Sequence, residues 1–320
     1  MMGFEEFHDE LRSVAADVLG KDRAVDWPVL VDSGWVGLEV PEGFGGAGAT
    51  FAETAVICRE MGRAVTAGSY LGSAVLAVGT LNALQPSVVR DELLAGVATG
   101  DTRVAVALES LDLVPDADGA DRVLLVANGA VAVADLDTTP VPVVDETRRL
   151  ARVSSRTVEP PTMLRFAGDA DTAVTRLRDR AAVAIACDSL GLAEAMLSAT
   201  VDYAKIRHQF GRPIGSFQAV KHACADMLVQ IEVCRRLVDA AVAAVVAGDA
   251  TAQAAMAKSH VCGAAVDIAG KAMQLHGGIG YTWESGVHVY LKRAALNRSL
   301  FGSPAAHRRT LAQRYRSQGE

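Results

Sequence analysis

From Phe217 to Val245 apolar side chains recur at alternating intervals of three and four: Phe217, Val220, Cys224, Met227, Ile231, Cys234, Val238, Ala241 and Val245. Nine consecutive positions on one seam specify a long helix whose apolar stripe must be covered lengthwise by other helices. The preceding segment offers Val174, Leu177, Ala181, Ile185, Leu192 and Tyr203 as a second face. The following one offers Ala255, Ser259, Cys262, Val266, Ala269 and Met273, mostly small side chains that let backbones approach closely. A C-terminal four-helix bundle over residues 162–320 is the expected result.

The texture differs upstream. Phe4, Phe7, Leu11, Val14 and Val18 repeat at helical spacing and open an N-terminal helical domain, residues 1–100. Within it Thr50 is placed to cap a helix, with Glu53 at the capping-box spacing. Residues 101–161 carry valine-rich runs with period-two alternation, "TRVAVAL", "RVLLVANGAVAVADL" and "PVPVV". Asn128-Gly129 is a hairpin signal. This reads as a small antiparallel β domain, left through a linker at Glu159-Pro160-Pro161. The fold class is therefore mainly α with a small central β domain.

At 320 residues and a net charge of −7, nothing points to nucleic acid as a partner. The N-terminal stretch is acidic and amphipathic, without a signal peptide's charge or apolar core. No apolar run reaches the ~20 residues that a membrane span needs, so no membrane partner is expected. Five widely spaced cysteines read as thiols of a reducing cytoplasm, with no metal-ligand spacing.

Two stretches at helix ends carry chemistry. In "RHQFGRPIGSFQ", residues 207–218, a helix ends and Gly211 and Pro213 turn the chain. Ser216 is placed to cap the seam helix. Arg207 has a fork suited to two phosphate oxygens, and Phe210 and Phe217 can meet a flat ring. In "QLHGGIGYTWES", residues 274–285, three glycines within four residues bring bare backbone to the surface, where N–H groups can approach a pyrophosphate. Taken singly, each stretch also fits an ordinary turn between helices.

Taken together and in this order, they resemble the acyl-CoA dehydrogenases. "GLEVPEGFGGAG" is similar to the family's N-terminal P-E-x-Y/F-G-G-x-G segment. "RHQFGRPIGSFQ" is similar to R-x-x-F-G-x-x-I/L-x-x-F/H-Q, and "QLHGGIGY" to Q-x-x-G-G-x-G. The resemblance spans nearly the whole chain. It implies the acyl-CoA dehydrogenase fold, FAD as cofactor, and α,β-dehydrogenation of an acyl-CoA thioester, with reoxidation by an electron-transfer flavoprotein or similar acceptor. It further implies that Arg207 meets the pyrophosphate of an FAD shared across a subunit interface. Gln209, Phe210, Ile214, Phe217 and Gln218 would line that cofactor, and Gln274, Gly277 and Gly278 would close its other side.

The departures are as telling. The family's base is the Glu of a Y/F-E-G-T motif; counted from Gly277 without gaps, its place falls on Phe301. The alternative base position, on the bundle's first helix before Gly191, falls on Ala181. No catalytic residue is therefore expected in this chain. The T-E-P-x-A-G-S-D loop and W/F-I/V-S/T-N strand that wrap the flavin ring are also missing from the β region. The resemblance then narrows to the short subunit of actinobacterial heterotetrameric enzymes acting on bulky, steroid-derived CoA thioesters. Such a chain would donate contacts for the ADP half of FAD to a full-length catalytic partner in an α2β2 assembly, the partner holding most of the substrate. The alternatives are a self-sufficient homo-oligomer with its base at Asp188 or Glu284, and a scaffolding relative that has lost flavin binding.

Overall fold

The computed structural model describes residues 4–21, 23–108, 110–134, 136–155 and 162–317. The N-terminal region is built from α1 (Phe4–Leu19), α2 (Trp27–Asp32), α3 (Phe51–Ala64), α4 (Val78–Asn82) and α5 (Val88–Thr99). Helix α3 starts where the sequence places it. The Thr50 side chain accepts from Ala52 N, and Glu53 returns a bond to Thr50 N, a complete capping box. A π-helical turn, Leu71–Ala77, leads into α4. Helix α1 is rotated from expectation: Ala15 and Leu19 are buried, whereas Phe7 and Val14 stand half exposed. Its main packing partner is α3, and one helix covers a narrower stripe than the sequence offers.

The β region holds β1 (Val104–Ala107), β2 (Val114–Pro115), β3 (Arg122–Ala127), β4 (Ala130–Ala134), β5 (Leu136–Pro140), β6 (Leu150–Ser155) and β7 (Thr162–Arg165). Asn128 and Gly129 both take positive φ, 51° and 75°, the type I′ geometry that joins β3 to β4. The sheet is not purely antiparallel, because β1 pairs parallel with β3 along Val104–Ala107. This is possible because the chain leaves β1, lays β2 into a second sheet with β6 and β5, and only then returns. Of "PVPVV" only Pro140 lies in a strand; Pro142 has no N–H to extend the ladder. The Glu159-Pro160-Pro161 corner lies outside the described residues. Strand β7, just beyond it, completes the first sheet beside β4.

The bundle is α6 (Ala170–Ile206), α7 (Gln218–Ala247), α8 (Thr251–His276) and α9 (Val287–Ser299), with α10 (Pro304–Ser317) lying on α8. The seam of α7 behaves as its spacing requires: Met227, Ile231, Cys234, Val238 and Ala241 are buried, and the intervening faces are exposed. Helix α6 is the central element, buried all round from Arg180 to Glu194. It is apolar enough over eighteen residues to pass for a membrane-spanning helix, yet 83% of that window is covered by the rest of the fold. Glycine makes its closest crossing possible. A Cβ on Gly62 of α3 would collide with the Asp188 carbonyl, and one on Gly191 of α6 with the Arg59 carbonyl.

Candidate functional site

The two singled-out stretches lie at neighbouring ends of α6 and α8. Helix α6 stops at Ile206, and Arg207 N closes it by donating to Tyr203 O at 2.9 Å. A two-residue ladder follows, β8 (His208–Gln209) against β9 (Arg212–Pro213). Its turn puts Phe210 and Gly211 at φ 53° and 76°. A phenylalanine rarely takes that conformation, and here it holds the ring away from the protein, 90% exposed. Phe217 meets Phe210 edge-on, with ring centroids 6.1 Å apart, and carries the Arg212 guanidinium 4.2 Å above its face. Arg207, Gln209 and Gln218 are exposed; Ile214 is half-buried beneath them. Among the described residues the Arg207 guanidinium has no hydrogen-bonding or ionic partner. Ser216 does not cap α7 as its position promises: Phe217 takes the N-cap place, and the Ser216 hydroxyl is buried without a partner. A short 3-10 turn, Ile214–Ser216, draws it inward.

At the end of α8 the chain turns through Gly277 at φ 63° into a 3-10 turn, Gly277–Tyr281. Gln274 is exposed just before it. A Cβ at Gly277 or Gly278 would meet nothing within 4 Å, so bare backbone there faces open space. Gly280 differs, since a Cβ would stand 2.6 Å from Met273 O and hold the turn off its helix. The two stretches are joined by a contact that spacing did not single out. The Tyr203 ring, on the last turn of α6, stacks on His276, the last residue of α8, with centroids 4.6 Å apart and planes 19° apart. Tyr203 reads as one more residue of an apolar face, and His276 sits inside a glycine motif; nothing local marks them as partners. An unpaired guanidinium, an upstanding phenyl ring and open glycine backbone suit a ligand carrying phosphates and a flat ring.

The two positions compared with a catalytic base hold none. Phe301 lies in the loop between α9 and α10 at φ 52°. It borders a gap of about 140 Å³ walled by Val106, Leu108, Leu113, Val114 and Pro115 with Ser110 and Ser299, and no carboxylate lines it among the described residues. The loop is fixed by backbone carbonyls: Lys258, wholly buried, donates to Asn297 O and Gly302 O, each at 2.9 Å, and His307 Nε2 bonds Phe301 O at 2.8 Å. Burial pushes the His307 pKa down, against the pull of that carbonyl, and nearby Lys258 lowers it further. Ala181 is wholly buried in α6.

Of the two alternative bases, Asp188 is enclosed and Glu284 lies on the surface. Asp188 is buried and committed, meeting Arg293 at 2.5 Å, Arg148 at 3.1 Å and the Asn297 amide at 2.6 Å. Burial alone would raise its pKa, but the two guanidinium groups and the amide outweigh it and hold the carboxyl below its ordinary value. Such a group is ionised yet enclosed, with no path to a substrate proton. Glu284 is exposed on the 3-10 turn Trp283–Ser285.

Two family models match the chain: "Acyl-CoA dehydrogenase, N-terminal domain" over residues 5–101 and "Acyl-CoA dehydrogenase, C-terminal domain" over residues 172–315. The acyl-CoA dehydrogenase IpdE2 of Mycobacterium tuberculosis is 38% identical over 297 residues, 92% of this chain and 87% of its own. Among solved structures, the Tcur3481-Tcur3483 steroid ACAD (G363A variant) superposes with a TM-score of 0.89 at 25% identity, covering 99% of each chain. The ChsE4-ChsE5 complex of Mycobacterium tuberculosis superposes with a TM-score of 0.84 at 22% identity, covering 96% of each chain.

Proposed function

This chain belongs to the acyl-CoA dehydrogenase family of FAD-dependent oxidoreductases, and on that premise we propose that it is the non-catalytic subunit of a heteromeric enzyme. One contrast carries the reading. The phosphate-and-ring surface at the end of the bundle is open, with Arg207 unpaired among the described residues, while the two positions compared with a base hold Phe301 and Ala181, and the described lining beside the first is apolar apart from Ser110 and Ser299.

The residues fit the ADP half of FAD. Arg207 would hold the pyrophosphate, and Phe210, Phe217 and Ile214 would line the cofactor with Gln209 and Gln218. Gln274, Gly277 and Gly278 would close the other side, since no Cβ stands in the way at either glycine. FAD, when bound, supplies the hydride acceptor for α,β-dehydrogenation of the thioester. This chain's residues bind and orient it; the glutamate that removes the α-proton and the pocket for the acyl group belong to the partner. Retention of a free Arg207 and an exposed Phe210 argues against a scaffold that has lost flavin binding, and the enclosure of Asp188 argues against a self-sufficient enzyme.

The assembly is an α2β2 heterotetramer with two FADs, reoxidised by an electron-transfer flavoprotein or similar acceptor in the cytoplasm. The steroid ACAD, with its two-part name, and the ChsE4-ChsE5 complex among the structural neighbours support a second kind of chain. The name of the steroid ACAD also favours a bulky, steroid-derived thioester as substrate. Co-expression with the partner should give one FAD per two chains, measured from the flavin absorbance and the mass of the complex. Arg207→Ala should lower that flavin content. A lone chain that purifies yellow and oxidises acyl-CoA would sink the proposal.

A further inference from the structure

We propose that the Tyr203–His276 stack is a positioning device that sets the gap between the two halves of the cofactor clamp. The inference rests on the clamp reading given above. The halves come from stretches separated by the whole of α7 and α8, and each hangs from a helix end. Arg207 continues directly from α6, its amide held by Tyr203 O at 2.9 Å. Gly277 continues directly from His276, and a Cβ on Gly280 would stand 3.0 Å from the His276 Cβ, so the turn rests on that residue. A near-parallel ring pair, 4.6 Å between centroids, therefore couples the two helix ends one residue or one turn away from the groups that face the ligand.

The orientation of the imidazole is fixed as well. His276 Nδ1 lies 2.8 Å from Ala272 O, a carbonyl of its own helix, so Nδ1 carries the hydrogen and the ring cannot swing out of the stack. The ring is buried with its residue only 8% exposed. Tyr203 is half-buried above it. His276 is buried and Tyr203 half-buried, and on this proposal both act through Arg207 and the glycine turn and not by touching the ligand.

The test uses the complex with the catalytic partner, stripped of flavin and titrated with FAD while flavin fluorescence is followed. His276→Ala removes the stack and should weaken FAD binding about tenfold. Amide hydrogen exchange across residues 277–281 should rise in the same variant. His276→Phe keeps a flat ring and loses only the bond to Ala272, and should restore both readouts. Tyr203→Ala should reproduce His276→Ala, and turnover per bound flavin should stay unchanged throughout. Native affinity in His276→Ala overturns the proposal. So does a His276→Phe variant as weak as His276→Ala, because the imidazole itself would then be the operative group. Arg207→Ala separates the two levels: if it leaves FAD affinity unchanged, the clamp reading fails, whereas the exchange data still report on the stack.

Discussion

On the split-site proposal Phe301 stands where the family's base is expected, and replacing it alone would not complete an active site. The ring sits at positive φ, in a loop pinned by Lys258 and His307 through backbone carbonyls, beside an apolar gap. On the split-site proposal Phe301→Glu would place a carboxylate there while the flavin-ring wall and the substrate pocket remain the partner's. The chain carrying it alone should show no acyl-CoA oxidation with an artificial electron acceptor, and measurable turnover would contradict the split-site reading. Asp116 is a second residue whose chemistry is set by its surroundings. Burial pushes its carboxyl up to about 6, opposed by the Gly72 N–H at 2.7 Å and by Arg148, Arg293 and Arg149. The folded chain therefore holds this proton more tightly than the unfolded chain, whose carboxyl keeps its ordinary value near ~3.9. The resulting stability is full below the unfolded pKa and is lost as pH rises through about 6. Asn tolerates the left-handed backbone at this site, φ 57°. Asp116→Asn should remove the trend, so the stability difference from the native chain should change by roughly 2–3 kcal/mol across that window in urea unfolding.

Between elements, backbone contact matters more than side-chain bulk. Helices α3 and α6 touch through Gly62 and Gly191, each sitting where any Cβ would strike a carbonyl of the other helix. Gly191→Ala should destabilise the chain by about 1–3 kcal/mol or more as the helices are forced apart. Chemical denaturation checks this, and an unchanged midpoint would mean that the crossing can open freely. The elements also show where sequence patterns suffice. The α7 seam, the α3 capping box and the Asn128-Gly129 hairpin depend on contacts within one or two turns, and each forms as read. The face of α1, the pairing of β1 and the cap of α7 depend on what arrives from elsewhere. There the local pattern left more than one outcome open.

Across the whole molecule, Asp188 ties the parts together. From the centre of α6 it meets Arg293 and Asn297 of α9 and Arg148 from the loop before β6, while Arg293 also donates to Thr66 O of the N-terminal region at 2.6 Å. Asp188→Asn would leave the buried Arg293 and the mostly covered Arg148 without this counter-charge and should cost about 3–5 kcal/mol near neutral pH. Because the folded pKa is depressed, that contribution is present at neutral pH and lost as pH falls through the folded value. Native and variant unfolding curves should therefore converge in acid, and a constant difference would refute the ionic origin. This hub also explains the run from Ser285 to Gly319, which contains Arg293 but no Asp or Glu: its buried counter-charge comes from another helix. By itself the sequence determined the helical bundle, the hairpin and the two motifs that place the chain in its family, because seams, turns and glycine spacings are local and periodic. Only the tertiary structure decided that Asp188 is an enclosed structural ion and that Tyr203 meets His276. It also decided that Phe301 faces apolar walls. Each of these depends on residues far apart in sequence, and no spacing along the chain encodes their meeting.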